Sequence, residues 1–294
     1  MAWRARYCTF KGWTWAFRDA GGMRRDGTVA KRGQRGVASE AELDKFRHLR
    51  SDWWDPKSRS GAGPLHSMNI TRVQYLSRRL GAILPAAAEY AGTVTPLAGL
   101  RCLDVGCGGG LLSESLARLG ADVKGVDPTE ENVAVAAEHA KGDPLTRGIV
   151  YEAVSAEDLV DRGEMFDVVA ALEVLEHVPN QTAFLSSLAQ LVRPGGVLAL
   201  STLNRTPQSF ALAIIGAEYL GGIVPIGTHQ WEQFVKPAEV EGMLRDRGFR
   251  GVVEVCGLAY NPLCGRWREA GGDALGVNYI MLAVKDDDGA PVAR

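Results

Sequence analysis

The chain has 294 residues, 46% of them apolar and 23% charged, with a formal net charge of −2. That is room for one large domain with appendages, and so balanced a charge excludes the strongly basic profile of a nucleic-acid binder. Five cysteines (Cys8, Cys102, Cys107, Cys256 and Cys264) form no CxxC pair, so neither a disulfide framework nor a zinc knuckle is indicated, and a reducing compartment fits.

The charge is unevenly spread. Residues 1–38 hold nine Lys or Arg and only Asp19 and Asp26, which makes that stretch +7 and leaves −9 for the remainder. With Trp3, Tyr7, Phe10, Trp13, Trp15 and Phe17 among those charges, residues 1–38 read as an organelle transit peptide. A disordered basic tail and a misassigned translation start are the plainer readings. No run is long and apolar enough to cross a bilayer; the nearest, residues 211–226, is interrupted by Glu218 and several glycines.

Residues 39–98 read as N-terminal helices that cap the domain. Ser39 and Glu42 have capping-box spacing, so a helix is expected over 39–50. Turn formers make 51–69 a loop, and helical spacing returns over 70–91 with a break at Pro85. From Leu100 strands and helices alternate: strands at 100–106, 122–128, 149–154, 166–172 and 194–203, with helices at 111–120, 130–140 and 182–192 between them. Such alternation predicts a parallel, doubly wound α/β sheet over residues 99–285. A long insertion at 205–236 with an apolar centre breaks the rhythm; a helix (237–248), a strand (249–260), a loop and a last strand (278–285) follow, and 286–294 is a polar tail.

"LDVGCGGG" places Gly106, Gly108, Gly109 and Gly110 between the first strand and its helix, where glycine permits a sharp turn and close approach to a ligand. Leu111 stands where the dinucleotide fingerprint G-x-G-x-x-G needs glycine. Asp127 ends the second strand, placed to accept hydrogen bonds from a ribose or to cap the next helix. "SAEDL" (155–159) follows the third strand, where backbone and Asp158 can grip an adenine. "LEVLEHV" (172–178) follows the fourth. If a helical turn starts there, Glu173, Glu176 and His177, spaced i, i+3, i+4, share one face.

The ordered set "LDVGCGGG", "GVD", "FDVVAALEVLEHV" and "LVRPGGVLALST" resembles class I S-adenosylmethionine-dependent methyltransferases. "WWDP", "PLHSMNITRVQYL", "STLNRTPQSFALAIIGAEYL", "VPIGTHQWEQFVKPAE" and "GVNYIMLAVK" narrow the resemblance to the ubiquinone-biosynthesis O-methyltransferases, over residues 42–285. It implies a Rossmann-like, seven-stranded, mostly parallel sheet and two methylations of polyprenylated catechols. It also implies Arg72, Gly106, Gly108, Asp127 and Leu172 at the S-adenosyl-L-methionine site, Arg72 toward the methionine carboxylate.

The resemblance makes Glu173, Glu176 and His177 ligands of a divalent cation. Mg2+ is the expected ion; the imidazole keeps Zn2+ and Mn2+ open. A catechol chelates such an ion and is thereby acidified, which a neutral phenol, with a pKa near ~10, requires. The plainer alternatives are that Glu173 faces the sulfonium, that Glu176 is a solvated charge, and that His177 is the general base. The insertion is expected to dock on lipid through its apolar face or to serve as a packed lid. Expected partners are a lipid-tailed catechol, the matrix face of the mitochondrial inner membrane and other ubiquinone-biosynthesis proteins in a complex, with no nucleic acid. Two rival functions are O-methyltransfer to another small molecule and a non-catalytic, cofactor-binding scaffold subunit.

Overall fold

Among the described residues eight strands form one sheet, in the order Val150–Glu152, Asp122–Val126, Arg101–Val105, Phe166–Leu172, Val192–Leu203, Asn278–Lys285, Phe249–Asn261 and Arg266–Ala270. The computed structural model describes residues 53–58, 62–220, 230–261, 264–271 and 275–287. The leader, the helix expected over 39–50, His229 and the tail from 288 lie outside them. β1 (Arg101–Val105), β2 (Asp122–Val126), β3 (Val150–Glu152), β4 (Phe166–Leu172) and β5 (Val192–Leu203) run parallel. β8 (Asn278–Lys285) enters antiparallel between β5 and β6 (Phe249–Asn261), and β7 (Arg266–Ala270) pairs antiparallel with the outer side of β6.

β7 makes the sheet eight-stranded rather than seven-stranded. Its sequence, "RWREA", has no apolar run, because its register with Gly257–Asn261 is carried by backbone hydrogen bonds at a sheet edge.

Helices cover both faces, which is why the central strands read as unbroken apolar runs. Along β4, Val168 and Ala170 face one layer and Val169 and Ala171 the other. The first layer holds α1 (Ala62–Ile83), α2 (Pro85–Ala88) and α3 (Leu111–Arg118), through Tyr75, Leu76, Leu80, Leu112 and Leu116. α4 (Glu130–Ala140) follows β2. The second layer holds α5 (Ala156–Asp161), α6 (Gln181–Leu191) and, after β5 and the one-turn α7 (Pro207–Ser209), α8 (Pro237–Arg245). Each fully buried leucine there contributes about 2 kcal/mol.

α1 starts at Ala62, well inside the stretch expected to be loop. Pro64 is tolerated in a first turn, where its missing N–H has no partner to lose. Gly63 is required by packing: a Cβ there would lie 2.2 Å from the Ser58 carbonyl oxygen. In the insertion, Thr206 and Ser209 cap α7 reciprocally, and a π-type helical stretch continues from Phe210 to Leu220. Because β1, β2 and β4 are parallel, the loops after Val105, Val126 and Leu172 emerge at one edge. That edge lies where the strand order reverses, and an open α/β sheet binds ligands there.

Candidate active site

A cleft of about 1130 Å³, its solvent-open part included, lies at that edge. One wall is the glycine loop. Gly106 and Cys107 donate their N–H groups to the Val126 carbonyl at 2.8 and 3.0 Å, closing the loop onto β2. Gly106 has φ 72°, and a Cβ there would lie 2.6 Å from the Val174 side chain across the cleft. Its glycine therefore serves both the turn and the approach of the two walls.

Asp127 lines the same wall and is 8% exposed. Oδ1 accepts from the Thr129 N–H at 2.9 Å and Oδ2 from the Gly108 N–H at 3.1 Å. Burial pushes its pKa up, and those backbone donors hold it back. Thr129 is the N-cap of α4, and Asp127 braces the turn before it, presenting a carboxylate beside the loop as a ribose requires.

Arg72, on α1, reaches the cleft with 4% exposure. Its Nη2 lies 2.8 Å from Glu173 Oε1, a charge contact without hydrogen-bond alignment, so Nε and Nη2 both lack a hydrogen-bond partner. Buried guanidinium donors left unsatisfied are costly, and a carboxylate in the cleft would satisfy them in pairs.

The opposite wall is "LEVLEHV". β4 ends at Leu172, which lines the cleft, and Glu173 then takes φ 59°, a left-handed conformation uncommon outside glycine. Its N–H donates to the Ser201 carbonyl at 2.9 Å, and the Ser201 hydroxyl donates to Oε1 at 2.6 Å. Leu175–His177 then form one 3₁₀ turn.

The kink at Glu173 removes the common face expected for Glu173, Glu176 and His177. Glu173 and His177 line the cleft with Val174, Val178 and Phe184. Glu176 is turned inward, 5% exposed; its Oε2 accepts from the Thr202 hydroxyl at 2.8 Å and its Oε1 has no partner. Burial, then the Glu173 charge, pushes the Glu176 pKa up to about 7, while His177 pulls it down. Among the described residues no group of three or more His, Cys, Asp or Glu side chains is placed to hold a metal ion. The expected ligand set is thus not assembled: Glu173 is engaged by Arg72 and Ser201, and Glu176 sits behind the wall.

Asp158 is also spent elsewhere than expected. It forms a capping box with Ser155 at the start of α5, while Ser155, Ala156 and Glu157 line the cleft.

Among the lining residues that the sequence reading did not single out are Asp104, Trp53 and Asn132. Asp104, in the middle of the buried β1, accepts from the Ser113 hydroxyl at 2.6 Å, and burial pushes its pKa up to about 6. An acid inside an apolar strand was the available signal. Trp53 and Asn132, joined by a hydrogen bond of 3.0 Å, gave none.

A family profile described as "Methyltransferase domain" matches residues 72–255. Two structures of magnesium protoporphyrin IX methyltransferase from Synechocystis PCC 6803 share the fold. The one with bound SAH has a TM-score of 0.57 and 23% identity, over 84% of this chain and 95% of that one. The one with bound SAM has 0.54 and 21%, over 85% and 99%. The molecule is a class I S-adenosylmethionine-dependent methyltransferase.

Its nearer likenesses in sequence carry one name. The ubiquinone biosynthesis O-methyltransferase of Azorhizobium caulinodans is 44% identical over 82% of this chain and 92% of its own length. That of Paramagnetospirillum magneticum is 44% identical over 85% and 96%. The Arabidopsis thaliana protein, named as mitochondrial, is 44% identical over 85% and 75%. The chain belongs to the ubiquinone biosynthesis O-methyltransferase family, and is an O-methyltransferase that uses S-adenosylmethionine.

Proposed function

We propose that the acceptor is a catechol hydroxyl on a polyprenylated ring, methylated in ubiquinone biosynthesis. The observation that carries this is the two-sided cleft. Arg72, with two unsatisfied buried guanidinium nitrogens, and Asp127 line the cofactor side, and His177 and Glu173 line the turn opposite. The names of the relatives support the pathway.

S-adenosylmethionine supplies a methyl on a sulfonium centre, which leaves as a neutral thioether. Arg72 receives a carboxylate, the glycine loop lets the backbone approach, and Asp127 accepts from a diol. Gly106 and Val174 bring the two walls together, so the protein's contribution is alignment. His177, on the cleft surface, takes the phenolic proton, and the inward Glu176 carboxyl lies within electrostatic reach of it.

Two carboxylates and an imidazole suit a divalent cation chemically, but as arranged they do not form a site for one. A cation enters this reading only with Glu173 released from Arg72. Titrating Mg2+, Mn2+ and Zn2+ into free and SAH-loaded protein measures that; binding in neither state removes the cation.

Phe210, Leu212 and Ile215 are 44%, 54% and 43% exposed at the start of the insertion's helical stretch. No helix among the described residues is long and apolar enough to span a membrane. These side chains support peripheral docking on the bilayer that holds a polyprenyl substrate. The relative named as mitochondrial and the basic leader support a mitochondrial location; the matrix face of the inner membrane and a complex with other enzymes of the pathway are what the family resemblance adds to this reading. Liposome flotation of the triple serine variant reads the docking; unchanged binding counts against it.

The deciding experiment is transfer of labelled methyl from S-adenosylmethionine to a short-chain polyprenyl-dihydroxybenzoate, with and without Mg2+. Transfer is expected. SAH binding without transfer to this or any simpler catechol overturns the acceptor and leaves a scaffold subunit.

A further inference from the structure

A pair of tryptophans that precedes the first described helix lies against the cofactor wall. Trp53 is 6% exposed and lines the cleft, although residue 53 is far in sequence from the strands that build it. Its Nε1 donates to Asn132 Oδ1 at 3.0 Å, and the Asn132 amide lies 3.4 Å from Asp127 Oδ1. The indole is thus joined by one side chain to the carboxylate that faces the ribose.

The ring lies on the glycine loop. A Cβ at Gly108 would meet Trp53 Cη2 at 2.4 Å, and one at Gly109 would meet Trp53 Cγ at 2.5 Å and Cβ at 2.6 Å. Gly106, Gly108 and Gly110 have positive φ, which by itself calls for glycine; Gly109 does not. The lack of a side chain at 109 is explained by the indole above it. The loop is bare at that point because an aromatic ring occupies the space.

Trp54 holds its neighbour there. Its Nε1 donates to the Gly109 carbonyl at 3.0 Å, and its ring stacks on His139 with centroids 3.4 Å apart and planes 3° apart. His139 Nδ1 lies 2.7 Å from Glu114 Oε1, and His66 Nε2 lies 2.8 Å from the Trp53 carbonyl oxygen. Anchors from α1, α3 and α4 therefore fix a short segment that makes no helix or strand of its own.

We infer that Trp53 is a cofactor-binding residue: its indole, clamped by Trp54 and Asn132, walls the ribose side of the S-adenosylmethionine site and keeps water from Asp127. A carboxylate–diol hydrogen bond gains strength when solvent is excluded, and an indole supplies much apolar area for few rotatable bonds. Trp54 is a positioning residue in this reading, acting through Trp53 and the loop.

SAH binding by calorimetry tests it, with folding checked by melting temperature. Wild-type protein that fails to bind SAH defeats the cofactor site itself, not the role of Trp53. Given wild-type binding, Trp53→Ala is expected to weaken SAH on the order of tenfold, and Trp53→Phe less, since an aromatic ring is kept while the Asn132 bond and part of the contact over Gly108 are lost. Gly109→Ala, which pushes the indole away, weakens SAH in the wild type and adds less in the Trp53→Ala background, where only the contact with the residue 53 Cβ remains. A folded Trp53→Ala protein with SAH affinity within about twofold of wild type overturns the proposal. Should Trp53→Ala not fold, fluorescence decides: SAH changes the wild-type tryptophan emission, and Trp53→Phe loses that change. An identical change in both proteins overturns it as well.

Discussion

The two walls of the cleft differ in backbone conformation and in the sign of the groups they leave unpaired. On the wall proposed for the cofactor each Asp127 oxygen already accepts a backbone N–H, the loop is closed on β2 and Trp53 lies on it, while Arg72 keeps buried donors free for a ligand's carboxylate. On the acceptor wall a glutamate sits at φ 59°, and Glu176 keeps one buried carboxylate oxygen without a partner and a pKa raised to about 7. Satisfied groups hold a ligand in a fixed place. Backbone outliers and groups with raised pKa concentrate where a reaction occurs. The difference teaches that binding and turnover are separable by mutation, one wall at a time.

The sharpest break is on the acceptor wall. His177→Gln should lower turnover by roughly two to four orders of magnitude, as loss of a general base does, with SAH affinity within about twofold of wild type. Full activity in this variant would move proton removal off His177. On the other wall, Arg72→Met should weaken SAH by roughly two orders of magnitude or more, because it deletes the buried cation that a carboxylate would meet. Arg72→Lys should recover little of that, since an ammonium lacks the paired donors of the guanidinium. Calorimetry measures both, and wild-type affinity in either variant would remove Arg72 from the site.

How far this contrast was legible beforehand depends on which force placed each residue. β4 at Phe166–Leu172, α4 at Glu130–Ala140 and β8 at Asn278–Lys285 fall on the ranges read from the sequence, because burial on both faces or on one stripe writes itself into composition. β7 did not, since an edge strand paired through its backbone needs no apolar pattern. Gly106 and Gly108 were readable as turn residues because a positive φ restricts the residue type, and Asp127 as a carboxylate at a strand end; all three line the cleft. The acceptor wall was half readable. "LEVLEHV" announced its chemistry but not its shape, because glutamate gives no sign that it will adopt a left-handed turn. Trp53 was legible only as part of the motif "WWDP", and its place on the glycine loop was not, since that rests on contacts that only the tertiary fold creates.

Asp104 sharpens the contrast from beneath the cofactor wall. Its folded pKa of about 6 lies above its ordinary value of 3.8, so the folded chain binds the extra proton between those values. Stability from this group therefore falls as pH rises from about 4 to 6 and stays lower above that. Asp104→Asn should remove the slope, leaving the variant more stable than wild type by about 3 kcal/mol at pH 7 and level with it near pH 3.5. The Ser113 hydroxyl can still donate to the amide oxygen, so the comparison isolates the charge. Urea unfolding at the two pH values reads the difference; an unchanged slope in the variant would assign it to another group.

Glu173 belongs to both walls, and the smallest effect comes from it. It contacts Arg72 at 2.8 Å while its backbone and its carboxylate are both held by Ser201. A cofactor carboxylate approaching Arg72 must therefore compete with a carboxylate already present. Glu173→Gln weakens the incumbent but keeps a group that Ser201 can hold. SAH affinity should then stay level or rise by roughly two- to fivefold, since the exchange loses less charge–charge attraction. SAH is the right probe, because its uncharged thioether carries no sulfonium for Glu173 to attract. Turnover should fall in the same variant, since the residue also faces the acceptor. Tighter binding with slower turnover would mark Glu173 as the hinge between the walls. A tenfold loss of SAH affinity would show instead that it holds Arg72 in position for the cofactor.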